Sequence, residues 1–171
     1  MQRLSLCLAM MSAFALAACE RAEKTAGEEP QAASAAEPTV EEAESADPPL
    51  VWAKESPTLQ WGACPPGMPE GCQIAVLHGD PAKPNADILL RVPGGAALTP
   101  HWHSSAERMM LVSGRLAVKY RGAAEATLEP GTYAYGPARL PHRADCRSSE
   151  PCTLFIAFEG PVDRQPFEGE L

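Results

Sequence analysis

From Leu50 onward, short apolar runs alternate with Gly, Pro and Asn at close spacing. Runs of four to eight residues bounded by turn formers read as β-strands. The pattern predicts strands at Ile74 to His78, Ile88 to Val92, Leu98 to His103 and Arg108 to Val112. Further strands are predicted at Leu116 to Tyr120, Tyr133 to Tyr135 and Thr153 to Phe158. Pro81, Pro84, Pro93, Pro100, Pro130, Pro137 and Pro141 fall between strands or at their ends, where a missing amide donor costs little. No long stretch has helical periodicity, so the crossover helices of a parallel sheet are missing. Residues 50–171 are therefore expected to form one all-β domain, a small double-sheet barrel of jelly-roll type.

The two ends of the chain differ in kind. Arg3 precedes an apolar run from Leu4 to Ala18, which reads as a secretory leader. The run is about fifteen residues, short of the roughly twenty that cross a bilayer. Its end, Leu16-Ala17-Ala18-Cys19, resembles the lipobox of bacterial lipoproteins. That resemblance implies removal of residues 1–18, lipidation of Cys19 and a lipid anchor in the cell envelope facing the periplasm. Glu20 in place of Asp after the cysteine favours the outer membrane. An ordinary secretory leader or an uncleaved anchor are the alternatives.

Residues 19–49 are rich in Ala, Glu, Pro and Ser and poor in large apolar side chains. Such a segment cannot bury enough surface to fold, so a disordered tether is expected. Charge supports this division. Residues 20–49 hold nine Asp/Glu against Arg21 and Lys24, a net −7. The chain as a whole carries −8, so the folded part is close to neutral. No basic stripe marks a nucleic-acid surface, and no nucleic-acid partner is expected.

Six cysteines are present. Cys7 leaves with the leader and Cys19 is assigned to the lipid. Cys64, Cys72, Cys146 and Cys152 remain for an oxidising compartment, and four cysteines allow three pairings. Local pairing, Cys64 with Cys72 and Cys146 with Cys152, is the simplest. A second metal site is the rival, weakened by the absence of Cys-x-x-Cys spacing.

The chemistry concentrates between Gly95 and Gly114. His101 and His103 are two apart, so on a strand both imidazoles share a face. Ser104, Ser105 and Ala106 read as a hairpin connection, and Glu107 opens the next strand. Antiparallel neighbours lie about 4.8 Å apart, which would return the carboxylate beside the imidazoles. His142, after Gly131-Thr-Tyr-Ala-Tyr-Gly-Pro, adds a fourth group. Three imidazoles and a carboxylate suit a divalent transition metal.

These two stretches resemble the cupin family. Gly95, His101, His103, Glu107 and Gly114 match every fixed position of its first motif. Gly131, Pro137 and His142 match its second motif, while Arg139 replaces a glycine and Cys146 an asparagine. The resemblance implies a double-stranded β-helix, and one metal ion held by His101, His103, Glu107 and His142. It also implies a pocket for a small molecule. Zinc, iron and manganese all fit that description. An enzyme of dioxygenase, isomerase or decarboxylase class, a non-catalytic binder and a sensor remain open, as does a homodimer through edge strands.

Other residues carry secondary expectations. Met109 and Leu111 share parity with Glu107 and should form the apolar wall of the pocket; Met109 as a soft ligand is the alternative. Trp102 has the opposite parity to its histidine neighbours. Tyr133 and Tyr135 are placed on the interior face with His142, where either would donate a proton or orient a substrate. Arg139 is read as a turn residue, or as a guanidinium near the mouth that holds an anion. His78 is read as a strand-end residue outside the site.

Overall fold

A computed structural model describes residues 47–171. The leader, Cys7, Cys19 and the tether up to residue 46 lie outside the described residues. Eleven strands follow one another: β1 (Trp61–Ala63), β2 (Gln73–His78), β3 (Ala86–Val92), β4 (Ala97–Trp102), β5 (Glu107–Ser113) and β6 (Leu116–Tyr120). They continue as β7 (Ala126–Leu128), β8 (Tyr133–Gly136), β9 (His142–Cys146), β10 (Cys152–Phe158) and β11 (Gln165–Pro166). All pairings are antiparallel. One sheet runs β1-β2-β3-β10-β5-β8 and the other β11-β4-β9-β6-β7. The all-β jelly-roll barrel expected from the alternation is the observed fold.

The core lies between the sheets. Leu90, Val92, Leu98, Met109, Leu111, Leu116, Val118, Leu154 and Ile156 are buried there. Alternation explains the selection on β5, where Glu107, Met109 and Leu111 are buried and Arg108 and Met110 are exposed. Single polar-out, apolar-in strands of this kind fix register, because a one-residue slip would turn every side chain over. A smaller cluster of Leu59, Ala75 and Leu89 packs on the outer face of the first sheet.

Two features differ from expectation. First, β4 and β5 do not form a hairpin. β4 pairs with β9 and β11, while β5 pairs with β10 and β8. The connection through residues 103–106 therefore crosses from one sheet to the other. Second, β9 is a full strand that the hydrophobic pattern does not announce. Its sequence His-Arg-Ala-Asp-Cys alternates, with His142, Ala144 and Cys146 buried, but only two of the five residues are apolar.

The cysteines pair locally. Cys64 and Cys72 are joined with their Cα atoms 5.4 Å apart, and Cys146 and Cys152 at 5.7 Å. The second bridge spans the turn from β9 to β10 and is wholly buried.

Candidate metal centre

Strand register builds the site as two facing rows. In the second sheet, Tyr120 on β6 stands opposite His142 on β9, and His142 opposite His101 on β4. In the first sheet, Phe158 on β10 stands opposite Glu107 on β5, and Glu107 opposite Gly136 on β8. His103 follows directly after β4 and reaches the same interior. The carboxylate thus meets the imidazoles from the opposing sheet, not from a neighbouring strand. Rows held by two rigid sheets place the groups more firmly than one hairpin would.

The three imidazoles are fixed in one tautomer. Nδ1 of His101 lies 2.7 Å from the Thr99 carbonyl and Nδ1 of His142 lies 3.1 Å from the Leu140 carbonyl. Nδ1 of His103 bonds the Asp163 carbonyl. A carbonyl only accepts, so each Nδ1 must carry the proton and each Nε2 exposes a lone pair. Each imidazole has one nitrogen within 4.8 Å of a nitrogen on the other two. Glu107 approaches them, with Oε1 3.2 Å from His142 Nε2 and Oε2 3.5 Å from His103 Nε2.

Electrostatics agree with this geometry. Burial, then the neighbouring His142, pushes the His101 pKa down to about 3. Burial likewise takes His142 down to about 4 and lowers His103. The imidazoles are thus neutral at pH 7. Burial raises Glu107 to about 8. Without a cation the site therefore prefers a neutral acid, because burial penalises the charged carboxylate. Glu107 Oε1 is buried with no hydrogen-bond partner among the described residues. Three bare imidazole nitrogens around an orphaned carboxylate oxygen form a donor set that a divalent cation would satisfy, so the residues fit such an ion.

A cavity of about 250 Å³ opens beside this cluster. His101, His103, Glu107 and His142 all line it. The rest of the wall is largely apolar, with Met109, Leu154 and Ile156 from the first sheet and Leu98, Leu116 and Val118 from the second. Pro65, Pro66 and Met68, from the loop that the Cys64–Cys72 bridge closes, complete one side. Met109 is buried wall, as the parity argument expects, and Leu111 is buried in the core beyond it.

Several candidates are placed elsewhere. Tyr133 and Tyr135 are 55 % and 48 % exposed and do not line the cavity, which corrects their assignment to the interior. The pairing of β8 with β5 decides this: Gly136 sits opposite Glu107 and Ala134 opposite Met109, so the small residues face inward. A Cβ on Gly136 would lie 2.7 Å from Glu107 Oε1, 2.8 Å from its Cγ and 3.1 Å from the Tyr120 hydroxyl. No tyrosine could stand there. Arg139 adopts a φ of 62° and its amide donates to the His103 carbonyl at 2.8 Å. Its side chain is exposed, so its role is the turn that supports His103. His78 ends β2, with Nε2 3.6 Å from an Asp47 carboxylate oxygen, outside the site.

The structure adds residues that the motifs do not contain. The Tyr120 hydroxyl is buried beside His142 without a hydrogen-bond partner among the described residues, and the two ring centroids are 5.1 Å apart. Burial, then the neighbouring Glu107, raises its pKa further above the usual phenol value. Phe158 packs edge-on against His103 at 5.3 Å. Asp163 fixes the His103 loop: its carboxylate accepts from the Ser104 amide at 2.9 Å and from the Ser104 hydroxyl. Gly136 falls one residue past the predicted strand Tyr133 to Tyr135, and only the structure places it inside β8, where a glycine permits close approach. Asp163 and Arg164 carried no signal, because they lie in an irregular segment after β10.

Comparison with known proteins now identifies the fold. Residues 88–158 match the family model described as Cupin domain. Solved structures with the same fold include one of DMSP lyases, at 20 % identity and a TM-score of 0.56. There, 64 % of this chain aligns with 63 % of that one. An oxalate decarboxylase from Bacillus subtilis aligns at 20 % identity and a TM-score of 0.51, over 61 % of this chain and 30 % of its own. An RmlC-like cupin from Shewanella frigidimarina aligns at 19 % identity and a TM-score of 0.50, over 61 % of this chain and 86 % of its own. The chain thus spans less than two thirds of the lyase and under one third of the decarboxylase. No curated protein matches the sequence. The fold is that of the cupins, and it carries a buried histidine–glutamate cluster that could hold a metal.

Proposed function

We propose that this chain is a lipid-anchored cupin facing the periplasm, which binds one divalent metal through His101, His103, His142 and Glu107 and admits a small molecule beside it. The supporting observation is the tautomer lock: three Nδ1–H groups tied to backbone carbonyls leave three Nε2 lone pairs around a carboxylate oxygen that has no donor. Zinc, iron and manganese each accept such nitrogen and oxygen donors. A bound divalent ion would supply a Lewis acid to a ligand in the cavity. The protein's own part is to hold the four groups, exclude bulk water with apolar walls and orient the ligand.

Elemental analysis of the wild type beside His103→Ala tests the site. The variant should lose most of its metal; equal content in both would overturn the assignment. The anchor rests on Leu16-Ala17-Ala18-Cys19. Cys19→Ser should abolish incorporation of labelled fatty acid, and normal labelling would remove the lipoprotein reading.

A second reading, a metal-dependent enzyme, has one observation in its favour. All four metal-facing side chains line the cavity wall, so a ligand there would touch the site directly. Turnover of any small molecule by the metal-loaded protein, lost in His103→Ala, would establish it.

A further inference from the structure

Among the described residues, Arg164 is the one arginine or lysine on the cavity wall. It stands between β10 and β11, after both histidine motifs in the sequence. Its Nη2 donates to the Thr99 carbonyl at 3.1 Å and to the Thr99 hydroxyl at 2.6 Å. Those bonds fix the guanidinium plane. Gly67, with φ of +86°, packs against the other side, where an added Cβ would come within 3.4 Å of Nη1. The Nε–H is buried and has no partner among the described residues.

The acidic groups nearby do not neutralise it. Glu107 and Asp163 are the two carboxylates that line the cavity. Glu107 is turned to the imidazoles. Asp163 is held by Ser104 and by Gln165, whose Nε2 donates at 3.3 Å. An anchored guanidinium on the wall of a largely apolar cavity is a receptor for a planar oxyanion. The cavity volume of about 250 Å³ falls below the roughly 300–1,000 Å³ of sites for drug-sized ligands, so the occupant is small.

We propose that the cavity is a binding site for a small monocarboxylate with an apolar body, its carboxylate held by Arg164. This names the ligand class within the small-molecule part of the proposed function and rests on that cavity, but it does not require the metal. The apolar body would lie against Met109, Leu154 and Ile156, while the charged end meets Arg164. In the metal-free chain, in which the titration is run, a dicarboxylate would leave its second charge against hydrocarbon, which is costly. A neutral amide would lose the charge-assisted pairing, and sites built around a buried polar group reject analogues that cannot satisfy it.

The test follows the Arg164 Nε–H resonance of the purified, nitrogen-15-labelled full chain during titration. The probes are butyrate, hexanoate and benzoate, their three amides, and succinate. At least one monocarboxylate should shift the resonance saturably, with its amide and succinate at least tenfold weaker. Isothermal titration calorimetry, which needs no Arg164 resonance, reads the variants: Arg164→Gln should weaken that monocarboxylate at least tenfold while keeping wild-type metal content. Arg164→Lys, which keeps the charge but not the planar fork, should retain part of the affinity. Three outcomes would overturn the proposal: no shift with any monocarboxylate, equal binding of acid and amide, or undiminished affinity in a folded Arg164→Gln variant. Preference for succinate would overturn the apolar-body half. Loss of metal in His103→Ala with carboxylate binding intact would support this inference on its own. Unchanged metal there would instead remove the metal reading and leave Arg164 to be judged by its own titration.

Discussion

The two ends of the barrel are built from the same strands and closed by opposite means. β9 begins at His142 and ends at Cys146, and β10 begins at Cys152 and ends at Phe158. At the Cys146–Cys152 end the closure is covalent and tight. Val92, Leu116 and Cys152 are wholly buried there. Gly94 lies under the β9–β10 turn, where a Cβ would come within 1.9 Å of the Ser149 carbonyl oxygen. Gly114, at φ +87°, packs against Cys152, with only 2.9 Å to spare for a Cβ. At the histidine end the interior groups are polar, and among the described residues Glu107 Oε1 and the Tyr120 hydroxyl have no hydrogen-bond partner. One end is closed by a disulfide and close contact. The other carries a buried cluster that could hold a metal. Stability and binding are thereby assigned to different ends of common strands, about one strand length apart.

That contrast can be broken most severely at Gly94. Gly94→Ala forces a methyl group into a backbone carbonyl, which should cost about 3 kcal/mol or more. Thermal unfolding would read the loss. The folded fraction should still take up metal in wild-type proportion; a variant as stable as wild type would show that the turn yields easily.

Removing the bridge at the same end should cost somewhat less. The Cys146→Ser, Cys152→Ser double variant frees a short loop, worth about 2 kcal/mol in the entropic model. Denaturant titration should show the lower midpoint, and metal content should again be unchanged. A large loss of metal would mean that the two ends are coupled through β9.

At the histidine end, Gly136→Ala should do the reverse. The added methyl meets both Oε1 and Cγ of Glu107, so the carboxylate must swing away and cannot yield by its tip alone. Metal affinity should fall on the order of 10–100-fold, the range seen when groups supporting a ligand are disturbed. Competition against a chelator would measure it. Unchanged affinity would argue that Glu107 is not a ligand.

The smallest effect is expected on the outer face. Tyr133→Ser with Tyr135→Ser alters exposed side chains of edge strand β8. Stability should change by no more than about 0.5 kcal/mol per site, and metal content should hold. Loss of ligand binding in that variant would return these tyrosines to consideration.

The sequence by itself determined the longer strands other than β9, and the cluster's membership. Alternating apolar positions fixed the β class and the buried parity of β5, because a period of two has only one pleated solution. Local spacing made Cys64 with Cys72 and Cys146 with Cys152 the simplest of three pairings, and the structure shows that pairing. The motif positions named His101, His103, Glu107 and His142 as one group. The tertiary structure decided how that group is assembled. It put β4 and β5 in different sheets, so the carboxylate crosses the barrel to the imidazoles instead of returning along a hairpin. It turned Tyr133 and Tyr135 outward, because the residue facing Glu107 must be one without a side chain. It brought Arg164 and the Cys64–Cys72 loop to the cavity from distant parts of the chain. Those outcomes depend on strand pairing between residues tens of positions apart, and a local pattern carries no information about which strand will be its neighbour.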